Sequence, residues 1–215
     1  MKRLFIVLFV CCSLTAMGQV REITNYDDGS FYSGQRDGKG RRHGEGMMTW
    51  VTGDRYEGQW RKGVMEGQGT YYWVTGGSFS GQWKNGNIKG HGIYRWPNGD
   101  MMEGDWVDGS RTGKGYFQWA DGTRFEGQFV NGMAMGYGVK VWANGDRYEG
   151  NFNQWHLTGP GVMVFADGSR YDGNWLNDQY EGLGTYTNAE GVTVRGVFHQ
   201  GILETEMETE TETEN

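Results

Sequence analysis

Glycine spacing constrains this chain more than any other feature. Gly53, Gly76, Gly99, Gly122, Gly145, Gly168 and Gly191 stand 23 residues apart, and Gly29 lies 24 before the first of them. A period of that length marks an array of small units that bury their apolar faces by stacking on one another. A second glycine follows each of these after five residues, at Gly34, Gly58, Gly81, Gly104, Gly127, Gly150, Gly173 and Gly196. A G-x-G pair comes next, as in Gly67/Gly69, Gly90/Gly92, Gly113/Gly115, Gly136/Gly138, Gly159/Gly161 and Gly182/Gly184. The extra residue of the first unit falls between Gly34 and Gly44, in a loop, where an insertion costs least.

Within each unit two short alternating runs are separated by turn residues, which reads as two strands of an antiparallel meander. Turn dipeptides recur at both ends of the strands: Asn85-Gly86, Asp108-Gly109 and Asn131-Gly132 within units, Asn98-Gly99, Asp121-Gly122, Asn144-Gly145 and Asp167-Gly168 between them. No stretch of the array has helical periodicity. The fold expected is all-β, an elongated single-layer antiparallel meander of stacked 23-residue hairpins with about fifteen strands.

Pro97 fixes the register. A two-residue Asn98-Gly99 loop makes residue 97 a ladder position that needs an N–H, which proline lacks. A three-residue loop over 97–99 places proline at the second position of a type I turn and Gly99 in the left-handed region. That loop pairs Trp96 with Asp100 and Tyr94 with Met102, so alternation brings Tyr94, Trp96, Met102 and Trp106 to one face. Carried to the other units, it adds Tyr56, Trp60, Tyr71, Trp73, Trp83, Phe117, Trp119, Phe125, Phe129, Trp142, Tyr148, Phe152, Phe165, Tyr171 and Trp175. The other face carries Arg55, Glu57 and Gln59, Arg124, Glu126 and Gln128, and Arg147 with Glu149, a solvated surface of weak ion pairs.

Composition narrows the function. The chain has 39 glycines and two prolines beside 10 Trp, 12 Tyr and 10 Phe, which excludes both collagen and a flexible linker. Lys2 and Arg3, the apolar run Leu4 to Leu14 and Ala16-Met17-Gly18 read as a signal peptide over 1–18, too short to span a bilayer. Both cysteines, Cys11 and Cys12, lie there, so the expected mature chain has no disulfide and no thiolate metal site. Removing that segment takes the formal charge from −7 to −9; six tail glutamates leave about −3 on the body. A mildly acidic body without a basic stripe argues against nucleic acid.

The stretches Gly53-Asp54-Arg55-Tyr56-Glu57-Gly58-Gln59-Trp60, Gly145-Asp146-Arg147-Tyr148-Glu149-Gly150-Asn151-Phe152 and Gly168-Ser169-Arg170-Tyr171-Asp172-Gly173-Asn174-Trp175 resemble MORN repeats, named for membrane occupation and recognition nexus. The chain is thus expected to divide into a signal peptide (1–18), a leader (19–27), an array of seven full repeats and a partial eighth that carries the resemblance (28–203), and an acidic tail (204–215) kept disordered by like-charge repulsion. The resemblance implies a twisted sheet of hairpins serving as scaffold, dimerisation element or adaptor; some relatives are linked to phospholipids, others to protein assembly. Asp37-Gly38, Trp155 at a position held elsewhere by Gly63, Gly86, Gly109 and Gly132, and Asn188 in place of an aromatic depart from the pattern. Relatives that are lipid kinases or methyltransferases carry a separate domain, for which this array leaves no room.

Nothing convergent points to catalysis, a cofactor or a metal. His43, His91, His156 and His199 occupy different repeat positions without i,i+4 spacing and read as surface residues. The G-x-G pairs never extend to a dinucleotide fingerprint, and Gly77-Ser78-Phe79-Ser80-Gly81 has phenylalanine where a nucleophile elbow needs serine. Glu57, Glu103, Glu126 and Glu149 form a row and not a pocket. The expected function is a non-catalytic scaffold of the periplasm, cell envelope or extracellular space, binding a protein or itself. The alternative is a carbohydrate- or lipid-binding module using the same face. The candidate surface comprises Tyr56, Trp60, Trp73, Trp83, Tyr94, Trp96, Trp106, Trp119, Phe125, Trp142, Tyr148, Tyr171 and Trp175, weighed against mutual packing that hides these rings.

Overall fold

The structure, a computed structural model, describes residues 22–207. The signal segment read over 1–18 and the last tail residues, 208–215, lie outside them. Seventeen strands run from β1 (Glu22–Asn25) to β17 (Ile202–Glu206), each antiparallel to the next in the chain. The result is one open meander.

Two turn types alternate along its margins. Between repeats the chain closes as the Pro97 argument requires: the Trp96 N–H donates to Asp100 O at 2.9 Å, the Gly99 N–H to Trp96 O at 3.0 Å, and Gly99 has φ +95°. Tyr94 accordingly pairs with Met102. The same pattern recurs from Trp50 and Asp54 to Phe165 and Ser169. Within repeats, two-residue turns such as Lys62-Gly63 (φ +54° and +93°) and Asn85-Gly86 (φ +51° and +80°) put both residues in the left-handed region, the geometry whose twist matches the flanking strands.

The between-repeat turns are tied to one another through side chains. Asp54 Oδ1 accepts the Val74 N–H, Asp100 Oδ1 the Ala120 N–H and Asp146 Oδ1 the Ala166 N–H, each at 2.8 Å. Ser30 and Thr123 hydroxyls do the same for Val51 and Ala143. Two turns depart from this: Pro97 has no N–H to offer and faces Gly77 where the acceptor would stand, and the Ser169 hydroxyl donates to Asp167 Oδ1 and takes no N–H from Ala189.

Glycine also runs across the sheet. Gly34 pairs with Gly46, Gly46 with Gly58, Gly58 with Gly69 and Gly69 with Gly81, and the row continues strand by strand to Gly184 and Gly196. It ends against Glu22 on β1 and Glu206 on β17. Within β4 (Arg55–Arg61) the spine glycine sits between Tyr56 and Trp60 on the same face. Tyr56 folds over it: a Cβ on Gly69 would lie 2.2 Å from the Tyr56 hydroxyl oxygen and 2.4 Å from the ring carbon that bears it. Tyr32, Tyr148 and Tyr171 cover their own glycine pairs identically. A sheet with no second layer thus makes its core from rings lying on bare backbone.

Two boundaries differ from the sequence reading. The leader, 19–27, contributes β1, and the start of the tail, 204–215, contributes β17, which makes seventeen strands where about fifteen were expected. Val197 pairs with Thr205 and Gly196 with Glu206, so Glu204–Glu206 are not disordered. The reason is that an edge strand satisfies the backbone of β16 (Thr193–His199) while its own side chains stay exposed, which leaves the glutamates solvated.

Candidate functional site

The aromatic face separates into a floor and a ladder. The floor consists of rings pressed onto the glycine spine. Tyr56, Phe125, Tyr148 and Tyr171 are completely buried, and Trp60, Trp83, Trp106 and Trp175 nearly so. Neighbouring rings meet edge to face, as Tyr56 with Trp60 at 5.1 Å and with Trp83 at 5.4 Å. Each floor tryptophan spends its indole N–H internally: Trp60 donates to Gly46 O and Trp83 to Gly69 O at 3.0 Å, Trp106 to Gly92 O and Trp175 to Gly161 O at 3.1 Å. Tyr56 and Tyr148 hydroxyls donate to Gln59 O and Asn151 O, and burial pushes the Tyr148 phenol up to about 12.

The ladder follows the between-repeat turns. Trp50, Trp73, Trp96, Trp119 and Trp142 are half-buried and recur every 23 residues. Between consecutive members stands one intervening side chain. Trp50 and Trp73 flank Tyr71 at 5.4 and 4.8 Å, Trp73 and Trp96 flank Tyr94 at 5.3 and 4.5 Å, and Trp96 and Trp119 flank Phe117 at 5.5 and 4.4 Å. The last rung is a cation: the Lys140 ammonium lies 5.0 Å from the Trp119 ring and 4.7 Å from the Trp142 ring. Burial lowers the Lys140 pKa, while Asp178 and Asp121 act the other way. Unlike the floor indoles, the five ladder indoles donate no hydrogen bond within the described residues. Their N–H groups are not sealed off, because no buried polar side-chain atom lacks a partner.

Of the thirteen candidate residues, eight lie in the floor and five, Trp73, Tyr94, Trp96, Trp119 and Trp142, in the ladder. The eight floor rings carry little or no exposed surface, whereas the five ladder rings are half-buried. The sequence reading omitted Trp50, although it stands one period before Trp73, and Lys140, which interrupts the aromatic pattern.

The central repeats are specialised. Met102 takes the place of a floor ring, and Arg111 fills the space, almost completely buried and lying over the Gly104/Gly115 pair. Its guanidinium donates to Glu103 O at 3.2 Å and Asp105 O at 3.1 Å, and also to Thr112 O and Lys114 O. Asp105 O corresponds to the carbonyl that accepts the tyrosine hydroxyl in other repeats. Burial lowers the Arg111 pKa, offset in part by Asp105 and Glu103. In the next repeats Phe129 and Phe152 replace the floor tryptophan, and the vacated volume is used by Trp155. That residue sits at a turn position with φ +74° and packs 5.2 Å from Phe125, 5.6 Å from Phe129 and 5.2 Å from Trp119.

The opposite face is polar. Arg170 pairs with Asp172 at 2.6 Å, Arg147 with Glu149, and His91 lies 3.3 Å from both Asp105 and Glu103. His156 pairs with Asp178 at 2.7 Å and His199 with Glu181 at 3.0 Å. All four histidines are exposed. An open depression of about 370 Å³ near His43 contains Glu45 and Glu66, but Glu45 accepts from Gln59 and Glu66 from the Asn85 N–H.

The repeat pattern described by this geometry is that of the MORN repeat, which matches residues 28–42, 39–55, 56–78, 79–101, 103–124, 125–147, 148–170 and 171–193. The chain belongs to the MORN-repeat family. No curated protein matches it. Among solved structures, it is similar to the TCP domain of Drosophila melanogaster SAS-4 (dCPAP) in complex with a proline-rich motif of Ana2 (dSTIL), with 15% identity over 73% of this chain and 90% of that one and a TM-score of 0.41. The TCP10 domain of Danio rerio CPAP in complex with a STIL peptide has 12% identity, 87% and 93% coverage and a TM-score of 0.27. These likenesses are remote. In MORN-repeat terms, the floor is what each repeat contributes to folding and the ladder is what the array leaves open.

Proposed function

We propose that this MORN-repeat chain is a non-catalytic scaffold that binds a protein partner along the tryptophan ladder. MORN repeats suggest a membrane or protein-interaction role in general. The observation that carries the specific reading is the contrast between four floor indoles that donate to glycine carbonyls and five ladder indoles that donate to no acceptor among the described residues. Half-exposed aromatic rings with free donors concentrate binding energy in few residues at low entropic cost. The polar face offers exposed ion pairs, each worth little.

The test compares Trp96→Ala on the ladder with Arg124→Ala on the polar face, measuring partner binding and thermal unfolding on the same variants. Trp96→Ala is expected to cost about 2 kcal/mol or more of affinity, and Arg124→Ala little. The reading fails if Arg124→Ala abolishes binding while a folded Trp96→Ala protein binds normally. The same proposal places the protein outside the cytoplasm, on the strength of the basic, apolar and small-residue order of residues 1–18. N-terminal mass analysis is expected to find Gln19 first; a mature chain retaining Cys11 and Cys12 contradicts export.

A further inference from the structure

We infer that the ladder is a track for a proline-rich segment in the polyproline II conformation, with an acidic side chain at the step that meets Lys140. This deepens the scaffold reading and rests on it. The first ground is spacing. Trp73 and Trp96 lie 5.3 and 4.5 Å from the same Tyr94 ring, and the other intervals are alike. Consecutive indoles therefore stand at most about 10 Å apart, the distance of two strand spacings. A polyproline II helix repeats every three residues, in about 9.3 Å, so every third residue comes to an equivalent indole. A β-strand repeats its facing side chains every 6.6–6.8 Å or so and falls out of step at once. An α-helix comes near only at a seven-residue spacing of about 10.5 Å, and needs roughly 28 residues to span four intervals.

The second ground is hydrogen-bond and charge complementarity. Of the four aspartates at the turns beside the ladder, three have both oxygens occupied, and the fourth, Asp121, accepts the Thr123 N–H through Oδ1. Asp54 Oδ2 accepts from the Tyr71 hydroxyl at 3.2 Å while its Oδ1 takes the Val74 N–H, and both oxygens of Asp100 and of Asp146 are likewise occupied. The ladder itself adds five indole N–H groups and one ammonium, beside which Asp178 and Asp121 also stand. The complementary ligand is rich in acceptors, poor in donors and carries a negative charge at one end. A polyproline II chain has no internal hydrogen bonds, so its carbonyls are free, and proline brings no N–H that would go unpaired. An α-helix has used its carbonyls already. Prolines also present flat apolar rings to aromatic faces and lose little entropy on binding.

The experiment uses the full chain with indole ¹⁵N labelling. The probe is an oligoproline of about twelve residues ending in glutamate, the length of four ladder intervals. Comparators are a Gly/Ser peptide of equal length and charge, an amphipathic helical peptide and a cello-oligosaccharide. The oligoproline is expected to shift the Trp50, Trp73, Trp96, Trp119 and Trp142 indole signals saturably and to leave Trp60, Trp83, Trp106 and Trp175 in place. Trp96→Ala weakens this at least about tenfold, and Trp96→Phe, which keeps a ring but loses the donor, several-fold. Lys140→Gln lowers affinity for this oligoproline and not for the same oligoproline ending in glutamine. Each variant is checked for an unchanged circular dichroism spectrum and melting, so that loss of binding is not loss of fold. The assignment is overturned if no saturable shift appears, or if any comparator shifts the ladder as strongly. Helical-peptide binding there overturns the polyproline assignment and keeps the protein-docking reading. Silence from all probes overturns the assignment, and the scaffold reading falls with it only if Trp96→Ala also leaves partner capture unchanged.

Discussion

Gly69→Ala is the sharpest probe of how this sheet makes a core without a second layer. The Gly69 backbone is not left-handed, so alanine adds no backbone strain and on propensity alone favours the strand by about 0.5–1 kcal/mol. The cost is steric. Its Cβ would stand 2.2, 2.4 and 2.6 Å from three atoms of Tyr56, where carbon contacts are ordinarily about 3.5 Å or more. The ring has no room to retreat, because it is fully buried, lies 5.1 Å from Trp60 and 5.4 Å from Trp83, and is anchored by its hydroxyl to Gln59 O at 3.1 Å. Overpacking costs about 1–3 kcal/mol and the lost hydroxyl bond about 1 kcal/mol, which after the propensity gain leaves a destabilisation of about 2–3 kcal/mol. Tyr56→Ala alone is expected to cost about 3–5 kcal/mol. The double variant costs no more than Tyr56→Ala, because the clash has gone, giving a coupling of about 2–3 kcal/mol. Gly63→Ala is the control, with φ +93° and no atom within 4 Å of its Cβ; it costs about 1 kcal/mol and does not couple to Tyr56. Urea unfolding should be combined with amide hydrogen exchange across β4, β5 (Val64–Tyr72) and β6 (Ser78–Lys84), since a repeat array loses stability locally. A Gly69→Ala protein within about 0.5 kcal/mol of the parent, or one additive with Tyr56→Ala, refutes the spine as a steric device.

Three further outcomes follow from the same geometry. Arg111→Leu removes the buried guanidinium from the Gly104/Gly115 pair and is expected to cost about 2–4 kcal/mol by urea unfolding, most of it recovered by adding Met102→Tyr, which restores the ring found in other repeats; a double variant no better than the single contradicts the exchange of roles. Pro97→Ala exposes an N–H that finds no side-chain acceptor at Gly77, and Gly77→Asp supplies one, so the pair together should exceed the sum of the singles by about 1 kcal/mol in a thermal-unfolding cycle, whereas additivity means that the turns are not linked. Glu181 holds the His199 pKa above its ordinary 6.5, first by hydrogen bond and then by charge, and is itself held below 4.5. The pair's contribution is thus complete between those values, lost as pH rises through the His199 pKa and lost as pH falls through that of Glu181; NMR titration should show His199 returning toward 6.5 in Glu181→Gln, and an unmoved midpoint contradicts the pairing.

The register and the facing of the rings were legible because a proline removes a donor and alternation has a period of two. Pro97 alone decided between two loops, and the Trp96–Asp100 closure follows from it. The division of the face into floor and ladder was not legible. Whether Trp60 or Trp73 is covered depends on glycines from neighbouring strands meeting across the sheet, and that row becomes visible only once the strands are paired. Eight of the thirteen candidates are therefore buried in the floor and not half-exposed like the ladder rings. Of the residues that break the repeat, Trp155 stands out in the sequence while Met102 and Lys140 do not, yet each is matched by a neighbouring residue in space. The acidic alternation from Glu204 pointed to a solvated chain, which its side chains are, but an open backbone edge next to it was enough to make its start a strand.

The open ladder, and not the polar face, is proposed to meet a protein. Site-specific photocrosslinking in the cells that produce the chain tests this most directly, with a photoreactive residue in place of Trp96 in one variant and of Arg124 in another. A discrete protein adduct is expected from position 96, lost when Trp73 and Trp119 are also replaced by alanine in a protein that still folds, and none is expected from position 124. An adduct formed from position 124 while position 96 stays unreacted would contradict it.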